Sequence, residues 1–182
     1  MNDEGLQQLA KVYDAIHSST MELQKIWLST SVFTWRWWLT VCLVIIPWIV
    51  WFVVRKREST ARLLFAGVTV MVLAAFLETI GISRGYWWYR YKLLPIPTAN
   101  IMWAYSLLPV STMLLLQWKP NISPLIKAIV YSTVVSFIGL RIFEWLGMYH
   151  PKHWSNIYSF VIVIVIYLIA DFVSKRSSFK KL

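Results

Sequence analysis

The sequence predicts an all-α integral membrane protein, with five transmembrane helices in a bundle preceded by an N-terminal amphipathic helix. Of the 182 residues, 58% are hydrophobic and only 14% are charged, which is far from the composition of a soluble domain. The apolar residues fall in runs of about 20, the length needed to cross a hydrocarbon core of roughly 30 Å. Charged residues or prolines bound each run. Little chain remains for a soluble catalytic domain.

The first predicted element is an amphipathic helix within an N-terminal domain, residues 1–33. Its stripe residues alternate three and four positions apart, as on one side of a helix: Leu6, Leu9, Tyr13, Ile16, Thr20, Leu23 and Trp27. Such a helix either lies in the membrane interface beside the bundle or forms a short self-association seam. The segment starts with acidic residues and lacks a compact apolar region, so we expect no cleaved signal peptide.

Five spans follow in a transmembrane domain, residues 34–182. They cover about 36–54, 62–82, 98–118, 126–148 and 156–174. Pro47 and Pro109 interrupt the first and third spans, and each removes a helical hydrogen bond. We therefore expect a kink at each proline, with a neighbouring hydroxyl such as that of Ser106 pairing with the freed carbonyl.

The orientation is predicted from the basic residues, because Lys and Arg are retained on the cytoplasmic side of a membrane. Ten of the eighteen lie in two loops and the C-terminal tail, all on one side: Arg55, Lys56, Arg57, Arg62, Lys119, Lys127, Lys175, Arg176, Lys180 and Lys181. This distribution predicts a multi-pass cell-membrane protein with the N-terminus outside and the C-terminus in the cytoplasm. Since the positive charges flank spans, the net charge of +10 indicates the lipid bilayer as partner and excludes nucleic acid.

An internal repeat is predicted from the ends of the second and fourth spans. Glu78, Gly81 and Trp88 have the same relative spacing as Glu144, Gly147 and Trp154, at an offset of 66 residues. The offset equals one pair of spans, so spans 2–3 and 4–5 would form a parallel repeat. Chance, or the usual enrichment of Trp at membrane interfaces, is the alternative explanation.

Ordered sequence pieces between Ala75 and Asp171 carry a resemblance to a known family: Glu78, 85–89, 94–97, Asn100, Leu108-Pro109, Lys119-Pro120, 144–147, 154–156 and Tyr158-Ser159. The chain resembles small, functionally uncharacterised multipass membrane proteins of spore-forming Gram-positive bacteria. The resemblance implies a fold and a bacterial cell membrane, and it carries no activity. A fainter similarity is to membrane-embedded lycopene cyclase domains. Their Pro-x-Glu-Glu element corresponds here to 95–100, which contains no acid.

A charged residue inside a span costs about 2.5 to 3.5 kcal/mol on insertion scales and needs a partner or water, and four such residues are candidates for a functional role. Arg141 and Glu144 are three residues apart on one helix and can pair. Glu78 is expected at a similar depth, which suggests one shared site. Asp171 has Lys175 four residues further on, a spacing typical of a pair on the helix surface.

The candidate ligand-binding residues line a small cavity predicted to open outward. We expect its lining to be Glu78, Asn100, Arg141, Glu144, Tyr158 and Ser159, with Trp87, Trp88 and Trp154 closing it above. In the alternative interpretation, the charges only tie helices together. The single cysteine, Cys42, lies in an apolar run, and His150 and His153 lack a third clear ligand, so neither a metal nor a cofactor is predicted.

The leading hypothesis for function is a non-enzymatic membrane protein that binds a small or lipidic ligand, or a partner protein that could be a second copy. It rests on carboxylates beside an arginine without a nucleophile or metal motif. A second hypothesis is an enzyme that protonates a prenyl or polyene substrate through Glu78 or Glu144. A third is a transporter or channel subunit. The sequence does not name the ligand.

Overall fold

The computed structural model describes residues 3–176, which are mostly helical. Its α-helices in chain order are α1 Asp3–Thr30, α2 Trp35–Val54, α3 Thr60–Ser83, α4 Leu108–Gln117, α5 Pro124–Thr133, α6 Leu140–Trp145 and α7 Asn156–Ser174. A 3₁₀ turn, Arg57–Ser59, leads into α3, and π-helical turns at Trp103–Leu107 and Val134–Gly139 lead into α4 and α6. Two short strands, β1 Trp87–Tyr89 and β2 Tyr149–Pro151, complete the fold. Lys180 and Lys181, which contribute to the predicted orientation, lie outside the described residues.

Four helical segments in the described range are long and apolar enough to cross a membrane: Trp35–Val54, Arg57–Ser83, Pro124–Trp145 and Asn156–Ser174. They confirm the predicted all-α membrane class. The third predicted span, about 98–118, is not among these four. It becomes a shorter helix, the π-helical turn and α4, whose buried residues include Trp103, Ser106, Val110 and Met113. Length explains the difference, because the helix runs only from 101 to 117 and is shorter than the roughly 20 residues that usually cross a bilayer.

The core lies where α3 packs against α4 and α7, with α5 packed on α7 and α2 on α4. Small residues allow close approach between these helices. At Gly67 in α3, an added Cβ would lie 2.6 Å from the Sδ atom of Met113 in α4. Van der Waals packing therefore fixes the relative position of these two helices.

Pro47 in α2 and Pro109 in α4 each leave one backbone carbonyl without its helical N–H donor. A side chain from the other helical segment supplies a donor to each of these carbonyls. Pro47 cannot donate to the carbonyl of Leu43, and the Ser106 hydroxyl donates to that oxygen at 2.9 Å. Pro109 cannot donate to Tyr105, and the indole N–H of Trp48 donates to the Tyr105 carbonyl at 3.0 Å. The predicted role of Ser106 is confirmed. The reciprocal contact from Trp48 was not predicted.

The two strands pair antiparallel, with Trp88 opposite His150 at the centre. Each strand follows a helix that ends in the same turn, with Gly85 (φ 69°) after α3 and Gly147 (φ 67°) after α6. In both turns the glycine N–H bonds three residues back and the next N–H bonds five residues back. The two glycines are 62 residues apart. The turns therefore correspond at an offset of 62, and the sequence match at 66 does not align them.

The N-terminal helix α1 forms as predicted, and no residue along it is buried. Two hydrogen bonds attach its C-terminal end to the loop after β1. The Trp27 indole donates to the Lys92 carbonyl at 2.9 Å, and the Ser31 hydroxyl, just beyond α1, donates to the Arg90 carbonyl at 3.2 Å. The predicted stripe of α1 is left on its surface.

Candidate ligand-binding site

A cavity of about 120 Å³ lies beneath the strand pair. The lining from α3 includes Glu78 and Gly81, and the lining from α7 includes Ser159. Six aromatic side chains form much of its remaining wall: Tyr86, Trp87, Tyr89, Trp103, Tyr149 and Trp154. We call this space the Glu78 cavity. It combines one carboxyl group with an otherwise largely apolar and aromatic surface.

Glu78 supplies the acidic group of the cavity and is only 9% exposed. Its Oε1 atom accepts a hydrogen bond from the Tyr89 hydroxyl at 2.8 Å. Its Oε2 atom is buried and has no hydrogen-bond partner among the described residues. A buried acceptor without a partner is costly, so this oxygen is suited to receive a donor from a bound molecule.

Strand β1 positions the aromatic residues around Glu78 because alternate side chains of a strand point to opposite faces. Trp87 and Tyr89 are buried, whereas Trp88 between them is exposed. The indole nitrogens of Trp87 and Trp103 are also buried without a hydrogen-bond partner in the described part of the chain. Trp87 lies near enough to Glu78 to interact with its charge, although it does not meet hydrogen-bond geometry.

Gly81 makes room for the indole ring of Trp87. A Cβ atom at position 81 would lie 1.9 Å from that ring, so any side chain there would collide with it. One helical turn separates Glu78 from Gly81, so both face the cavity. The sequence motif Glu-x-x-Gly thus places a carboxyl beside a gap that a tryptophan fills.

Tyr89 of β1 and Tyr149 of β2 stay protonated. Burial, together with the nearby charge of Glu78, raises the pKa of Tyr89 well above its usual value and also raises the pKa of Tyr149. Tyr89 therefore remains a hydrogen-bond donor to the carboxyl at physiological pH. This arrangement holds one carboxyl oxygen in place and leaves the other, at the cavity wall, without a partner among the described residues.

Lys92 is a buried basic residue in the loop that follows β1. Its Nζ atom donates to the carbonyls of Ile96 at 2.7 Å and Pro97 at 2.9 Å. Burial lowers the pKa of Lys92 to about 8, against an opposing effect of Glu78. The lysine orders the loop and forms no ion pair with Glu78 among the described residues.

The structure brings four of the predicted residues together: Glu78, Trp87, Trp154 and Ser159 all line the cavity. The Trp154 indole donates to the Ser159 hydroxyl at 2.8 Å, and its ring contacts that of Trp87 edge to face, with centroids 4.7 Å apart. Tyr158 packs its ring against Trp154 but is exposed and lies outside the cavity.

Asn100 and Trp88, which were also predicted at the cavity, have different surroundings. Asn100 is buried and its Oδ1 accepts the Met102 N–H at 3.1 Å, so it caps the helical turn before α4. Trp88 lies on the outer face of β1, where it stacks on the His150 ring with centroids 4.1 Å apart.

Arg141 and Glu144 form the predicted pair, with an N–O distance of 2.8 Å, but their side chains are 63% and 36% exposed and line no part of the cavity. The expected shared site with Glu78 is therefore absent from this cavity. The π-helical turn at Val134–Gly139 gives a physical reason. One extra residue in a turn rotates the following helix face by about 100° relative to regular helical spacing.

One lesser prediction is confirmed by the structure. Asp171 and Lys175 form the predicted surface pair at 2.8 Å. Within the described residues, no group of three His, Cys, Asp or Glu side chains could hold a metal ion.

Sequence reasoning missed Tyr89, Trp103 and Tyr149 as parts of the site. The aromatic residues from Tyr86 to Tyr91 also suit a membrane interface, where Trp and Tyr are enriched, so the sequence does not distinguish the two roles. The available signal was the alternation of Trp87, Trp88 and Tyr89 directly after Gly85, which is typical of a short strand after a helix-ending turn.

Comparisons with known proteins add no assignment to this geometry. No protein-family model matches the chain, and neither a curated protein nor a solved structure matches it. The site must therefore be interpreted from its own chemistry. It offers one acceptor oxygen, two indole donors and aromatic walls, and the described residues supply no nucleophile–base pair at the cavity.

Proposed function

We propose that this chain is a non-enzymatic, membrane-embedded binding protein whose ligand occupies the Glu78 cavity and donates a hydrogen bond to Glu78 Oε2. One observation carries the proposal, namely the buried carboxyl oxygen that lacks a partner while lining a cavity. A ligand donor would remove the cost of that unpaired acceptor.

The size and walls of the cavity support a small ligand. Its volume of about 120 Å³ is close to that which holds one benzene-sized ring, about 150 Å³. Aromatic faces beside a carboxylate favour a flat or cationic group, such as a compact ammonium. The same volume counts against the alternative enzyme, because a prenyl or polyene chain needs a longer space.

Mass spectrometry of copurifying small molecules tests the proposal. We compare extracts of the wild-type protein with extracts of Glu78→Gln, which keeps the side-chain shape but replaces one acceptor oxygen with an N–H donor. A molecule enriched in the wild type should fall by at least about tenfold in the variant, because a hydrogen bond to a charged group is worth about 1.5 to 3 kcal/mol.

The matched control is Glu144→Gln, because Glu144 is paired with Arg141 outside the cavity. This variant should retain the molecule at the wild-type level. The proposal fails if all three extracts contain only bulk lipid, or if the Glu78→Gln extract matches the wild type.

The proposed architecture has five spans, with the helix at residues 101–117 as the short central one. Two helix–strand–helix units, one containing β1 and the other β2, form a parallel repeat. The paired strands support this repeat. Trp88 and His150 correspond at an offset of 62 and are paired with each other, as a local twofold axis requires.

The N-terminus is proposed to lie outside the cell membrane. Labelling of introduced cysteines at Lys119 and Lys152 with an impermeant reagent tests this orientation.

A further inference from the structure

A second and larger cleft, of about 870 Å³, lies at the other end of the bundle. It opens near the end of α2 and runs between α4 and α5. Most of its lining is apolar and includes Val54, Leu114, Ile126 and Val130. Because α3 has 24 residues, the mouth of the cleft is about 36 Å from the strand pair. The inner end of the cleft approaches the Glu78 cavity, but the two spaces share no lining residue.

The structure at the mouth of the cleft is firmly held. The Gln117 side chain donates to the Val54 carbonyl at 3.3 Å and accepts the Lys56 N–H at 3.1 Å, which ties α4 to the end of α2. On the other wall, the Ser111 and Tyr131 hydroxyls lie 2.7 Å apart and join α4 to α5. The cleft is thus built into the bundle.

The charge of the cleft is entirely positive. Lys56 and Lys127 line it, and no acidic residue does. Lys127 is buried, and its Nζ donates to the carbonyls of Leu115 and Trp118. These two hydrogen bonds use two of the three N–H donors of an ammonium group. Lys119 adds a further positive charge, with its Nζ 5.0 Å from the centre of the Trp118 ring, which also lines the cleft.

We propose that this cleft is a binding site for an anionic phospholipid. One acyl chain lies in the apolar groove between α4 and α5, and the headgroup phosphate lies at Lys56 and Lys127. The charge complementarity identifies the headgroup, since the two lysines that line the cleft favour a phosphate-bearing anion over a zwitterion. The acid that acts on Lys127, Asp171, lies outside the lining and is itself paired with Lys175. The apolar wall requires a chain attached to that phosphate, so a soluble phosphate does not satisfy the site.

Native mass spectrometry of the full-length protein in mild detergent tests the proposal. The probes are dioleoyl phosphatidylglycerol and dioleoyl phosphatidylcholine, which share their acyl chains and differ in charge. We expect the protein to retain one phosphatidylglycerol molecule at least fivefold more tightly than phosphatidylcholine. Lys56→Gln should reduce that preference about fivefold, the effect of one lysine near an anionic headgroup.

A second variant tests the groove without changing any charge and without replacing Lys127, whose hydrogen bonds to the Leu115 and Trp118 carbonyls are kept. Val130 lines the cleft and is 58% exposed, so Val130→Trp should fill the groove and abolish lipid retention. Val161, which is 53% exposed on α7 and lines neither cavity, gives the matched control Val161→Trp, which should retain lipid normally.

Three outcomes would overturn the proposal. The first is equal retention of the two lipids, which would indicate an ordinary lipid-facing groove. The second is full competition by inorganic phosphate, which would indicate a site for the free anion. The third is unchanged retention in a folded Val130→Trp protein, with folding judged by circular dichroism.

Discussion

The hydrogen bond between Tyr89 and Glu78 is the residue-scale contact that organises the site. Tyr89→Phe keeps the ring in place but leaves both carboxyl oxygens without a described partner. We expect the free energy of unfolding to fall by about 1 to 3 kcal/mol, the usual cost of an unpaired buried polar group. Thermal unfolding in detergent measures the change. Tyr158→Phe is the control, because Tyr158 is exposed and its ring lies outside the cavity.

Lys92 predicts a pH dependence of stability. Its pKa is about 8 in the folded protein and 10.5 when unperturbed, so between these values the unfolded chain binds more protons than the folded one. Stability should therefore rise with pH from 8 towards 10, by about 1 kcal/mol over the first unit. Above about pH 10 the buried tyrosines reverse the trend, because the unfolded chain then loses protons that they retain.

Unfolding midpoints between pH 7 and 10 check this prediction. Lys92→Met should flatten the rise. A wild-type midpoint that falls steadily across the range would contradict it.

At the scale of elements, α2 and α4 depend on each other for backbone hydrogen bonds. Ser106→Ala should lower the free energy of unfolding by about 1 to 3 kcal/mol, because it removes the donor to the carbonyl that Pro47 frees. Ser136 is an equally buried serine whose hydroxyl has no described partner, so Ser136→Ala should be close to neutral. Equal losses in the two variants would count against the exchange of hydrogen bonds between helices.

The packing of β1 on α3 depends on the absence of a side chain at Gly81. Gly81→Ala should displace the Trp87 ring and destabilise the protein by about 1 to 3 kcal/mol, the range for overpacking a core. Gly139 is a control, because an added Cβ there would be 3.6 Å from its nearest neighbour. Gly139→Ala should therefore be nearly neutral or slightly stabilising. Thermal unfolding compares the two, and a neutral Gly81→Ala would contradict the described packing.

At the scale of the whole molecule, hydrophobic run length predicted most of the fold. Spans were found where about 20 apolar residues occur together, and the three- and four-residue spacings of Arg141–Glu144 and Asp171–Lys175 correctly predicted pairs. The central helix was predicted at about 98–118 and runs from 101 to 117, so its position was found but its length was overestimated, because apolar residues continue into the turns that flank it.

The site was predicted less completely than the fold, for two physical reasons. A π-helical turn changes which face of α6 points inward, and helical periodicity gives no sign of such a turn before Arg141 and Glu144. The second reason is that β1 and β2 are three residues each and lie among aromatic residues that also suit a membrane interface. Glu78 was found because a carboxyl in an apolar run stands out whatever the local structure.

The pairing of β1 with β2 has a consequence for the order in which the protein assembles. About 60 residues, including all of α4 and α5, separate the two strands in the chain. Such a contact closes a long loop, which is slow relative to helix formation. During synthesis, Glu78 enters the membrane well before Tyr149 and Trp154 have been made. The Glu78 cavity is therefore a late product of assembly, completed only when the second half of the chain has folded against the first.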